Sequence, residues 1–240
     1  FNCKPFIPYF PAGYHLSHLP NSFVIGLETP DLLVEVLKSV PKSPHNQFYA
    51  DCYRAMLQAL QYHVDQVLDM LSAVKLSGEF EFAGIDSSAA PSKNCSSMTK
   101  VYELMGLPYF GAAGSVEVSA LLTKVFKSIK RVPLVGFSGL MLAVTEDLGL
   151  AEGTQKQYFD IRALLTYSAV CGIGLDTVPV AGNVKAETIA AIMRDTGTMA
   201  FRLNKPLTVR LFPIPNKVAG EISEFESDDL CNCRLLHIPD

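Results

Sequence analysis

The stretch PHNQFYADCYRAMLQALQYHVDQVLDMLSAVKLSGEFEFAGID, running from Pro44 to Asp86, sets the fold class because it joins a long helical period to a strand. No Pro or Gly falls between Pro44 and Gly78, and Tyr49, Cys52, Met56, Leu60, Val64, Val67, Leu71 and Val74 recur every three or four residues. That spacing predicts one long helix. Leu57 and Leu68 widen its apolar stripe beyond a coiled-coil seam, with Asp51, Arg54, Asp65 and Asp69 opposite, so the helix should lie across a sheet or another helix. Past Gly78 the pattern changes, and Phe80 to Asp86 reads as a strand.

Working outward, further strands are expected at Phe23 to Glu28, Leu134 to Phe137, Leu207 to Pro213 and Arg234 to Ile238. Further helices are expected at Asp31 to Val40, Thr99 to Met105, Ser115 to Ile129, Gln155 to Val170 and Val184 to Leu203. Asn183 is placed to cap the last of these, with Glu187 in its first turn favoured by the positive helix end. Strands alternating with helices point to a single α/β domain over residues 1–240. Pro213 and Pro215 demote the end of their run to an edge or loop.

Hydrophobic residues make up 49% of the chain and charged ones 18%, so much of its surface is destined for burial, internally or against another copy or segment. A homo-oligomer, or association with a missing N-terminal part, is therefore expected; the chain begins Phe1-Asn2-Cys3 and reads as a fragment or processed product. A net charge of −4, with no run of Lys and Arg, argues against a nucleic-acid partner. No apolar run reaches the roughly 18 residues needed to span a bilayer, and no basic and apolar leader opens the chain. Six scattered cysteines in an apolar chain of this length read as free thiols in a reducing compartment, hence the cytoplasm.

The chemistry concentrates around Cys171, Gly172, Gly174, Asp176 and Thr177, where a thiol, two glycines, a carboxylate and a hydroxyl follow an amphipathic helix. Glycines let a backbone approach a ligand closely. Cys171 is the candidate nucleophile or redox thiol, with His15 as its base or a general acid. A packed thiol is the commoner fate of a buried Cys, and a helix C-terminus opposes a thiolate. A second pattern repeats: Gly26-Leu27-Glu28, Gly84-Ile85-Asp86 and Gly174-Leu175-Asp176. If these ends share one sheet edge, Glu28, Asp86 and Asp176 could hold a hard divalent cation or supply an acid–base pair; otherwise they are strand ends and helix caps. Glu146-Asp147 either joins them or caps a turn. Gly111, Gly114 and Ser115 open a helix and could hold a phosphate or carboxylate, and Ser87 offers a hydroxyl beside Asp86. Cys231, Cys233 and His237 are three soft ligands where structural zinc closes with four. Gly172-Ile173-Gly174 lacks the third glycine of a dinucleotide fingerprint, and Gly136-Phe137-Ser138-Gly139 lacks the spacing of a nucleophile elbow.

In order, the phrases from Tyr9 to His15, from Gly84 to Pro91, Gly136-Phe137-Ser138-Gly139 followed by Glu146-Asp147, from Cys171 to Asp176, and from Glu187 to Ile192 resemble the domain of unknown function 711 family. The resemblance runs from Tyr9 to about Phe225 and implies a pyruvate-formate-lyase-like α/β barrel, of which this chain looks like the C-terminal part. Glycyl radical enzymes of that fold carry Arg-Val-Ser/Cys-Gly-aromatic near the chain end. Here Arg131-Val132-Pro133-Leu134-Val135-Gly136-Phe137 has two extra residues and sits mid-chain, so no glycyl radical is expected. The resulting expectation is an enzyme acting on a small polar or carboxylate-bearing metabolite, built on Cys171, Asp176 and His15, or else a non-catalytic binding protein or structural subunit.

Overall fold

The strands β1 (Asn21–Gly26) and β2 (Phe80–Asp86) pair in parallel, and the helix read from the opening stretch is the crossover between them. A parallel pair requires such a crossover, because its strands start at the same end. The computed structural model describes residues 1–3, 6–9, 21–74 and 80–239. Between β1 and β2 come α1 (Pro30–Lys38) and α2 (His45–Ala73). The apolar stripe of α2 buries Phe48, Tyr49, Cys52, Met56, Leu60 and Val64 against α1 and a later helix, α4 (Ser115–Lys127). The burial fades along the stripe, and Val74, just past the helix, is exposed.

A second parallel pair, β3 (Gly174–Ala181) and β4 (Thr208–Ile214), is connected by α7 (Ala186–Arg202). All eight residues of β3 are buried. Isolated parallel bridges join Leu134 to Ile85 of β2, and set Ala143 and Leu236 beside Asp176 and Val180 of β3. The frame is thus α/β with parallel strands, completed by α3 (Met98–Leu104), α5 (Leu148–Gln155) and α6 (Ile161–Ser168).

Three readings of the sequence are corrected. Gly174–Ala181, absent from the expected strands, is a strand: an apolar run bounded by glycine is what a strand covered on both faces looks like, and it lacks the alternation that marks a half-exposed one. The helix expected from Gln155 to Val170 is the shorter α6, with Gln155 the last residue of α5, because Asp160 turns its carboxylate onto the N–H of Ala163 at 2.7 Å and starts α6 there. The cap of α7 is Lys185 with no side-chain bond, rather than Asn183, although Glu187 does occupy the first turn. Of the expected strands Leu134 to Phe137 and Arg234 to Ile238, single bridges remain.

Candidate functional site

The register of β3 against β4 slips between Leu175 and Val178, which places Asp176 and Thr177 in a bulge opposite Arg210. Thr177 adopts φ 44°, a left-handed conformation uncommon for a β-branched residue. It is held there by its neighbours: its Oγ1 accepts the N–H of Thr145 at 3.2 Å, and the carbonyl of Asp176 accepts the N–H of Val144 at 3.1 Å. Bulges re-aim side chains, and this one sets the Asp176 carboxylate against Arg210. The guanidinium donates from Nε to Asp176 Oδ1 at 2.7 Å and from Nη2 to Glu146 Oε1 at 3.0 Å.

One oxygen of the pair is left over. Asp176 is 1% exposed, and among the described residues its Oδ2 is buried without a hydrogen-bond partner, as is Thr145 Oγ1. Burial therefore pushes the Asp176 carboxyl up to about 7; Arg210 opposes this rise and Glu146 adds to it. Burial also raises Glu146, against the pull of Arg210 and with a further push from Asp229. A carboxyl placed near neutrality beside a guanidinium can change charge under ordinary conditions, which is what proton-coupled chemistry requires.

Arg210 and Glu146 form part of the wall of a pocket of 210 Å³, with Tyr9, Glu28, Lys93 and Asp229 around it. Ala90, Pro91 and Met141 give it an apolar side. Tyr9 is fixed by donating to the carbonyl of Leu27 at 2.7 Å, and its hydroxyl is held far above its ordinary range by burial, with Asp86 and Glu28 adding to that. The mouth thus carries both signs of charge, suited to a guest that is itself polar.

Of the residues singled out in the sequence, Glu28 lies on this pocket and Asp176 lies behind its Arg210 wall. Asp86 is elsewhere engaged. Its Oδ1 accepts the N–H groups of Ser88 and Ser138, both at 3.0 Å, and the hydroxyl of Ser88 at 2.6 Å, while Oδ2 accepts the N–H of Phe137 at 3.0 Å. It ties the end of β2 to residues 137–138. Glu28, Asp86 and Asp176 are accordingly not brought into one ligand set, and among the described residues no three His, Cys, Asp or Glu side chains gather as a metal group, those around Cys231, Cys233 and His237 included. Ser87 donates to the carbonyl of Phe126 at 2.8 Å.

Cys171 is fully buried in the core, its Sγ accepting the N–H of Gly174 at 3.3 Å, and it does not line the Arg210 pocket. Beside it, Gly172 meets Gly139: a Cβ on Gly172 would stand 2.5 Å from the Gly139 Cα, so those glycines let two backbone segments touch. Gly111 donates its N–H to Ser115 Oγ at 3.0 Å and Gly114 forms the N-cap of α4, so this turn closes on itself, away from the pocket. His15 lies outside the described residues. The Glu146-Asp147 pair divides its work: Glu146 faces Arg210, and Asp147 caps α5 by accepting the N–H of Leu150 at 3.1 Å while also accepting the Ser97 hydroxyl and the Met98 N–H. The sequence reading missed Arg210. Its signal was present, as a lone charge within the run from Leu207 to Phe212.

Fold and site together describe an α/β protein of parallel strands with a charged pocket between the ends of β1 and β2 and the bulged pair β3–β4. The chain belongs to the family described as Uncharacterised ACR (DUF711), whose profile matches residues 1–227. Among its relatives are proteins named UPF0210 protein. That of Pyrobaculum arsenaticum is 31% identical over 220 residues, covering 90% of this chain and 48% of the relative. That of Carboxydothermus hydrogenoformans is 28% identical over 207 residues, covering 84% and 44%. That of Syntrophobacter fumaroxidans is 28% identical over 228 residues, covering 91% and 49%. The chain spans about half the length of the curated relatives it matches. Among the described residues, no helix is long and apolar enough to cross a membrane.

Proposed function

We propose that the protein binds and acts on a small polar metabolite in the Arg210 pocket. The carrying observation is that Arg210, on the pocket wall, is shared between buried Asp176 and half-buried Glu146. When Asp176 takes up a proton the guanidinium loses a counter-charge, and its attraction for an anionic group of the guest, such as a carboxylate, increases. Asp176 is therefore the positioning and charge-setting group, with Arg210, Glu146 and Glu28 the groups that meet the guest. Cys171, sealed in the core, supports the site by holding the backbone at Gly174, the first residue of β3. This reading needs no glycyl radical and no metal.

A pyruvate-formate-lyase-like barrel, of which this single domain would be a large part, is proposed on the family resemblance; the parallel bridges at Leu134, Ala143 and Leu236 extend the parallel frame that such a barrel requires. Among the described residues β1 and β4 each pair on one side alone and stay half-buried, which favours completion by a second copy or by further chain, in a cytoplasmic setting consistent with six unpaired cysteines.

The experiment is a thermal-shift screen of small carboxylate- and amine-bearing metabolites on the parent protein and Arg210→Gln, with mass analysis of every hit after incubation. A stabilising compound that Arg210→Gln no longer recognises and that is recovered chemically changed supports an enzyme; the same compound recovered intact favours the second reading, a binding protein. Hits that stabilise Arg210→Gln as well as the parent would overturn the site.

A further inference from the structure

A larger cleft, of 720 Å³, opens between the start of α6 and the segment bearing Arg234, away from the Arg210 pocket and sharing no residue with it. Its volume lies within the roughly 300–1,000 Å³ that small-molecule sites occupy. Its fixed charge is mainly positive. Arg162 and Arg234 line it beside His237, against one carboxylate, Asp160, whose Oδ1 caps α6 by accepting the Ala163 N–H. Among the described residues neither the Arg162 nor the Arg234 guanidinium has a carboxylate within ion-pair distance, which is true of Arg194 and Arg202 as well, but those two do not line this cleft.

Arg234 is also held in place. Its backbone N–H is bonded to Thr154 Oγ1 at 2.8 Å, residue 234 bridges to Ile222, and its side chain lies across Gly220, where a Cβ would stand 3.0 Å from Nη2. Gly220 has φ 95°, so that backbone both favours glycine and leaves the guanidinium its room. Below the charges, Phe159 and Leu236 give the cleft a buried apolar floor.

We propose that this cleft is a second binding site, for a phosphate-bearing small molecule whose phosphate is taken by Arg162 and Arg234 and whose body rests on the Phe159 and Leu236 side. Two guanidinium forks from separate elements define the ligand class. A carboxylate meets one fork squarely through its two oxygens and brings a single charge, whereas a phosphate presents three oxygens and a charge near two, better matched to both forks. The site stands independently of the Arg210 reading.

The test uses inorganic pyrophosphate as probe, titrated calorimetrically into the protein at constant ionic strength held by chloride. Pyrophosphate should bind the parent and lose about tenfold or more in affinity for Arg162→Gln with Arg234→Gln, given the strength of charge-assisted hydrogen bonds. Arg162→Gln alone, an exposed change that leaves the Gly220 contact intact, should lose affinity in the same direction and guards against a misfolded double variant. Malonate at equal concentration should bind more weakly than pyrophosphate. Absence of pyrophosphate binding to the parent, full affinity in both arginine variants, or malonate binding as tightly as pyrophosphate would overturn the proposal.

Discussion

Asp176→Asn should become progressively more stable, relative to the parent, as pH rises from acid to neutral. The parent carboxyl moves from 3.8 in the unfolded chain to about 7 in the folded one, chiefly because burial penalises its charged form. Between those values the folded state holds a proton that the unfolded state has released, so stability falls with rising pH across the window. Below it the contribution is fully present; as pH climbs through the folded value it is lost. At about 1.4 kcal/mol for each tenfold change in proton affinity, the full excursion is on the order of 4 kcal/mol, an upper figure since the site can relax or admit water. Asn is close in shape and charge to the protonated carboxyl and still offers Arg210 Nε an acceptor. The variant should therefore match the parent to within about 1 kcal/mol in acid, the net worth of one hydrogen bond, and exceed it by several at alkaline pH. Urea unfolding of both proteins at half-unit steps across this range gives the difference directly. A difference that stays flat from acid to alkaline pH would refute a carboxyl titrating near neutrality and with it the charge-setting role given to Asp176.

Other outcomes follow from the same hydrogen-bond accounting. Asp86→Asn replaces one of two acceptor oxygens by an NH2 that faces N–H donors from Phe137, Ser138 or Ser88, so urea unfolding should show a loss of about 3 kcal/mol; parent-like stability would contradict the fixed tie between β2 and residues 137–138. Lys205→Met removes the ammonium that donates to the carbonyls of Ser168, Ala169 and Cys171 at the end of α6, at a cost of about 2 kcal/mol, read as a lower Tm by circular dichroism. Thr177→Val keeps the shape but deletes the acceptor for the buried Thr145 N–H, costing about 1–3 kcal/mol in the same melt, while Thr177→Gly also relieves φ 44° and should cost less; the reverse order would contradict the bulge as described.

The long helix from the opening stretch was legible because an unbroken three-to-four period has one geometric solution, and β2 because glycine and charge bracket an extended run. β3 was harder to read. Its residues are buried on both faces, so the alternation that announces a strand is absent, and the sulfur, glycines and acid that drew attention to Cys171 through Asp176 serve partly for packing. Asp176 was visible as an isolated acid, whereas Arg210 gains its meaning from lying across the bulge, 34 residues away along the chain.

By itself the sequence determined the α/β class, the long helix and the family, since these rest on local periods and on ordered phrases that survive without coordinates; the parallel pairing that makes this helix a crossover came from the structure. The partnership of Asp176, Arg210 and Glu146, and the idleness of Asp86 as a ligand, were decided by the tertiary structure alone. Burial and the slip of one strand against its neighbour choose which charges meet, and neither quantity is carried by any short run of residues.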